Sequence, residues 1–146
     1  MTLLDANEPE PSKTPRYIIL GVLIVFLAAF LAWHHVRYDA EEKVASEFFS
    51  ALAAGDMQEA YKLWHPAPDY SFKDFEDDWG PKGFYGPVKS FKIDSAEAPR
   101  KSITSVAVKV LVSAVSPFPK DESKIKTVVI WVNRANHSLS SPPPLY

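Results

Sequence analysis

Tyr61, His65, Tyr70, Asp74 and Tyr85 are candidate residues of types that move protons. A carboxylate or imidazole can take a proton and a phenol can give one, provided burial and neighbours bring their pKa values near the working pH. Each also has an ordinary structural explanation. Asp74 follows Ser71 by three, the spacing of a capping box at a helix start. Tyr61 falls on the apolar stripe of a short helix, and His65 stands before Pro66, where a helix ends. Asp77 and Asp78 read as a solvated helix face. No spacing among these groups matches a catalytic motif, so no catalytic residue is assigned and the chain is expected to be non-enzymatic.

Metal chemistry has less support. His34, His35, His65 and His137 include no i, i+4 pair and no carboxylate at ligand spacing. His34 and His35 are adjacent on a helix and so point about 100° apart. The chain has no cysteine, which excludes disulfides, thiolate metal sites and a lipidated cysteine. Neither a metal nor another cofactor is expected. The formal net charge of −2 also lacks the basic excess that phosphate backbones require, so no nucleic-acid partner is expected. Residues 39–78 are strongly acidic and residues 79–146 are basic, two halves that attract within one fold or dock head to tail between copies or partners.

The elements that would position these groups are legible in order. In residues 39–54, Val44, Phe48 and Leu52 recur at every fourth position and Gly55 stands at C′, which predicts an amphipathic helix. Asp56 with Glu59 gives a capping-box-like start to a second helix, through Trp64. Ser71 with Asp74 starts a third, through Trp79. On these helices and the loop after them, Tyr61, Trp64, Phe75, Trp79 and Tyr85 are candidate lining for a pocket suited to an apolar or planar small molecule, with core packing as the rival explanation.

Gly80, Pro81, Gly83, Gly86 and Pro87 mark the change to sheet. Strands are expected at residues 88–95, 102–116 and 124–133, with a short edge strand in 136–141 before the prolines. Phe91 and Ile93 are expected to face inward. The second strand alternates, with Val106, Val108, Val110 and Val112 on one face. Ala107, Leu111, Val129 and Trp131 fall on the other and are the candidate interface for a homodimer or protein partner. Which face lines the interior stays open between the two rows.

Residues 17–36, YIILGVLIVFLAAFLAWHHV, contain no Asp, Glu, Lys or Arg and form a helix about 30 Å long, enough for one membrane span. The domain plan is therefore a disordered tail at 1–16, the transmembrane helix at 17–36, an α+β domain at 37–141 and a Pro-rich tail at 142–146. Lys13 and Arg16 before the span balance Arg37 and Lys43 after it, so charge leaves the orientation open. A short leading tail with a larger trailing domain is the signal-anchor arrangement, which puts the C-terminal domain outside the cytoplasm. Asn136-His137-Ser138 has the form of a glycosylation sequon, and Pro143-Pro144-Leu145-Tyr146 that of a WW-domain ligand.

Phe48, Phe49, Leu52, Gly55-Asp56, Ala60-Tyr61 and Leu63, then residues 83–87, the Val-x-Val strand and a long strand holding Trp131, resemble the nuclear-transport-factor-2-like superfamily, the cone fold of ketosteroid isomerases and SnoaL-type cyclases. The resemblance covers about residues 39–144. It implies three helices against a curved antiparallel sheet, as in a small membrane-anchored bacterial member, and hence a place in a bacterial inner membrane. In layout alone the chain is also similar to the membrane-anchored scaffold of type IV secretion systems. The expected function is a membrane-anchored interaction domain that holds a protein partner or a homo-oligomer at the membrane surface. The other readings are a ligand-binding or enzymatic cone with an aromatic pocket, and an accessory subunit of a larger membrane complex.

Overall fold

A computed structural model describes residues 14–99 and 104–141. The chain is α+β and separates into two compact units, dividing between Arg37 and Tyr38. The first contains helix α1, Thr14–Val36, whose window Thr14–Trp33 has a mean hydropathy of 2.3 and is long and apolar enough to cross a membrane. The helix begins at Thr14, so residues 14–16 belong to it and not to the expected tail. Pro15 is no obstacle there, because its missing N–H is one of the first-turn donors that have no intrahelical partner anyway. The rest of the expected tail, 1–13, and the Pro-rich tail, 142–146, lie outside the described residues.

The second unit opens with α2, Asp39–Ala54. Asp39, Glu41 and Glu42 in its first turn complement the positive end of the helix dipole. Gly55 ends it at φ 78°, a left-handed conformation that costs glycine nothing, and its N–H reaches the carbonyls of Ala51 and Leu52. Helix α3, Met57–Trp64, is capped by Asp56, whose carboxylate accepts from the Glu59 N–H at 3.0 Å. Only that half of the expected capping box forms, and the Glu59 carboxylate pairs with Lys62 at 3.6 Å. The full box forms at α4, Phe72–Trp79: the Ser71 hydroxyl accepts from the Asp74 N–H, and Asp74 accepts from the Ser71 N–H at 2.9 Å.

The run after α4 is tightly folded. A Cβ on Gly86 would overlap the Gly80 carbonyl, and one on Gly83 would overlap the backbone of Asp78. Four antiparallel strands follow in the order β1-β2-β3-β4: β1 Ser90–Glu97, β2 Ser105–Ser113, β3 Lys126–Asn133 and β4 Leu139–Ser140. Strand β1 runs two residues later than the spacing predicts, and its register with β2 shifts between Ile93 and Ser95. Such a bulge breaks the alternation used to read strand bounds. Strand β2 stops at Ser113, short of the expected 116, and residues 102 and 103 lie outside the described residues. Strand β3 starts after a 3-10 turn, Glu122–Lys124, because Asp121 accepts from the Ser123 N–H at 3.0 Å and caps that turn instead.

Val106, Val108, Val110 and Val112 are buried together with Val128, Ile130 and Val132, so the valine row is the inner face. Val108 pairs directly with Ile130 and Val110 with Val128. These side chains pack in one core with Ala45, Phe48, Phe49, Trp64, Phe75 and Trp79 from the helices, and Phe91 and Ile93 join it half-buried. Beside this core, the Glu41 carboxylate, almost wholly buried, meets the Arg134 guanidinium at 3.2 Å, and that guanidinium lies 5.7 Å from the Tyr38 ring centroid. The contact ties the first turn of α2 to the chain after β3.

Candidate functional site

The five aromatic residues expected to line a pocket occupy two kinds of place. Phe75 and Trp79 are buried in the core, where Phe48 lies 5.1 Å from Trp79, 5.2 Å from Trp64 and 6.2 Å from Phe75 between ring centroids. Tyr85 stacks on Trp79 at 4.5 Å, and Tyr61 packs edge-on to Phe75 at 5.4 Å. The cluster fills the space between helices and sheet instead of surrounding a cavity, since edge-to-face rings at these separations are in contact. Trp64 also reaches the wall of a groove.

The groove has a volume of about 510 Å³, within the size range of small-molecule sites. Its walls are the end of α3 with the loop to Tyr70, and the chain from Asn136 to Ser141 around β4. His65 ends α3 in a left-handed conformation at φ 49°, and its Nδ1 lies 3.1 Å from the Asn136 carbonyl, which joins the two walls. The Asn136 side-chain oxygen accepts from the Ser138 N–H at 3.0 Å. The Tyr85 hydroxyl and the Ser141 hydroxyl are 3.1 Å apart.

The candidate proton-transfer groups do not converge. The Tyr61 hydroxyl donates to the Tyr70 carbonyl at 2.7 Å, and the Tyr70 hydroxyl donates to Asp78 Oδ2 at 2.6 Å. Burial raises the Tyr70 phenol well above its ordinary value, assisted by the bond to Asp78 and by the charges of Asp78 and Asp74. Asp74 is held below the usual carboxylate range by the Ser71 hydroxyl and then by the Ser71 N–H. Asp121 is lowered in the same way by Ser123. The Asp74 and Asp121 bonds secure a helix start and a turn, and the Tyr70–Asp78 bond ties the loop before α4 to its last turn. Among the described residues no group of histidines and carboxylates could hold a metal ion.

The other candidate site is the outer face of the sheet. Ala107 stands directly opposite Trp131, and Lys109 opposite Val129. Val129 is 41% exposed, while Ala107, Leu111 and Trp131 are half-buried. The apolar strip therefore runs along β2 and β3 and is interrupted by Lys109, which pairs with Asp94 at 2.9 Å. Lys92 and Glu97 of β1 continue the charged margin. Sequence spacing found this row. It missed the groove, whose walls are some seventy positions apart; the one local sign is the polar run Asn136-His137-Ser138, with His137 in a left-handed turn at φ 57°. No protein-family model matches the chain, and neither a curated protein nor a solved structure matches it.

Proposed function

We propose that the chain is a single-pass membrane-anchored interaction module that holds a protein partner or a second copy at the membrane surface. The observation that carries this reading is the one-sided cover of the sheet. The helices pack on the valine face, and the opposite face presents Val129 at 41% exposure beside Trp131, Leu111 and Ala107, in a chain that also has a helix able to span a bilayer. An apolar strip bordered by charge, here broken at the Lys109–Asp94 pair, is compatible with an interface of mixed character. Helices preceding a bulged antiparallel meander support reading the second unit as a reduced cone of the nuclear-transport-factor-2-like kind. The signal-anchor layout supports a second unit outside the cytoplasm, and the resemblance to small membrane-anchored bacterial members favours a bacterial inner membrane.

The test is purification of the full chain in mild detergent, with and without Val129→Asp and Trp131→Asp. A stoichiometric partner or a dimer that is lost in the variants, with the thermal midpoint retained, is the expected result. A monomer that binds nothing and is indifferent to both substitutions would remove the reading.

A further inference from the structure

We propose that the groove between α3 and β4 is a binding site for a neutral carbohydrate. One wall carries the half-buried ring of Tyr70, backed at 6.4 Å between centroids by Trp64, of which only 7% is exposed. The other is lined by Asn136, Ser138 and Ser141, with Asp69 at the exposed rim. A sugar ring has the matching duality: an apolar C–H face that lies on an aromatic ring, and a border of hydroxyls that both donate and accept. Serine hydroxyls can do both, the carboxylate accepts, and an amide supplies an oxygen and two N–H donors.

The same lining disfavours other ligand classes. Among the described residues no lysine or arginine borders the groove, and Asp69 repels anions, so phosphate and carboxylate ligands lack a counter-charge there. A purely apolar ligand would strip water from the amide and hydroxyls without replacing its hydrogen bonds. The site is also organised in advance. The contact between His65 and the Asn136 carbonyl holds the walls together, the Tyr70 hydroxyl is fixed on Asp78, and the Asn136 oxygen is held by the Ser138 N–H, which leaves the amide NH2 for a ligand. Side chains already ordered lose little freedom on binding. The groove adjoins the outer sheet face at Ser140, which stands opposite Trp131, so Val129, which has no partner on β4, is the residue that separates the two sites.

The experiment is ligand-observed NMR on the full chain in lipid nanodiscs, because maltoside detergents would themselves present sugar. The probes are neutral oligosaccharides of glucose, galactose, mannose and N-acetylglucosamine, with inorganic phosphate as the charged control. At least one oligosaccharide is expected to bind with a Kd on the order of 1 mM or tighter. Asp69→Ala combined with Asn136→Ala should weaken it about tenfold or more. Both positions are exposed and lie outside the core, so the fold should persist, and Val129→Asp should leave sugar binding unchanged. Absence of binding to every oligosaccharide at about 10 mM, binding indifferent to the Asp69/Asn136 pair, or preference for phosphate would each overturn the proposal.

Discussion

Tyr70 couples the groove wall to the helix behind it, and its proton makes that coupling measurable. Its hydroxyl donates to Asp78 at 2.6 Å, and burial followed by that bond raises its pKa. The folded chain therefore keeps this proton at pH values where the unfolded chain has released it. The stability it contributes is full below the ordinary phenol value of about 10 and is lost as pH rises above it towards the raised folded value. Tyr70→Phe has no such proton. The wild type should lose stability relative to Tyr70→Phe between roughly pH 10 and 12, as measured by urea unfolding across that range. A difference that stays constant with pH would show that the phenol is not held as described. Asp74 has the opposite sign: its lowered pKa gives stability above the ordinary carboxylate value, lost as pH falls through the folded one.

At the level of elements, the two faces of β3 differ enough to be separated by neighbouring substitutions. Ile130 is fully buried opposite Val108, whereas Val129 is 41% exposed opposite Lys109. Ile130→Ala leaves a cavity and should cost about 2–5 kcal/mol. Val129→Ala removes only partly covered surface and should stay within about 0.5 kcal/mol. Chemical denaturation of both variants checks the assignment of faces, and similar losses would contradict it. That alternation was legible because a strand has period two, and the helix starts at Asp56 and Ser71 were legible because a cap is a local bond. What sequence left open has physical reasons too. Apolar spacing shows that Trp64, Phe75 and Trp79 meet, and not whether space remains between them; here they close into core. The bulge near Asp94 displaced β1, and the cap at Asp121 took the first residues expected of β3. The pairing of residues 64–70 with 136–141 is tertiary, so no local pattern announces the groove.

For the whole molecule, the decisive property is the division between Arg37 and Tyr38. Residues 17–36 have no charged side chain, and each Leu, Ile, Phe or Val near the centre of a bilayer span favours insertion by about 0.3–0.6 kcal/mol. The second unit instead contains its own core, from Ala45 on α2 to Leu139 on β4, none of it drawn from α1. Detergent phase partitioning should then separate the roles. The full chain is expected in the detergent phase and the fragment Tyr38–Tyr146 in the aqueous phase with a cooperative unfolding transition. Arginine at both Leu23 and Leu27 costs about 5–7 kcal/mol near the span centre, enough to cancel the gain from a dozen apolar residues. That double variant should move the full chain out of the detergent phase while leaving the unfolding of the second unit unchanged. If the full chain partitions into water before any substitution, α1 is not a membrane anchor. If the fragment alone enters detergent, the outer sheet face is apolar enough to bind micelles, and the interaction surface would need to be mapped there with lipid as a competitor.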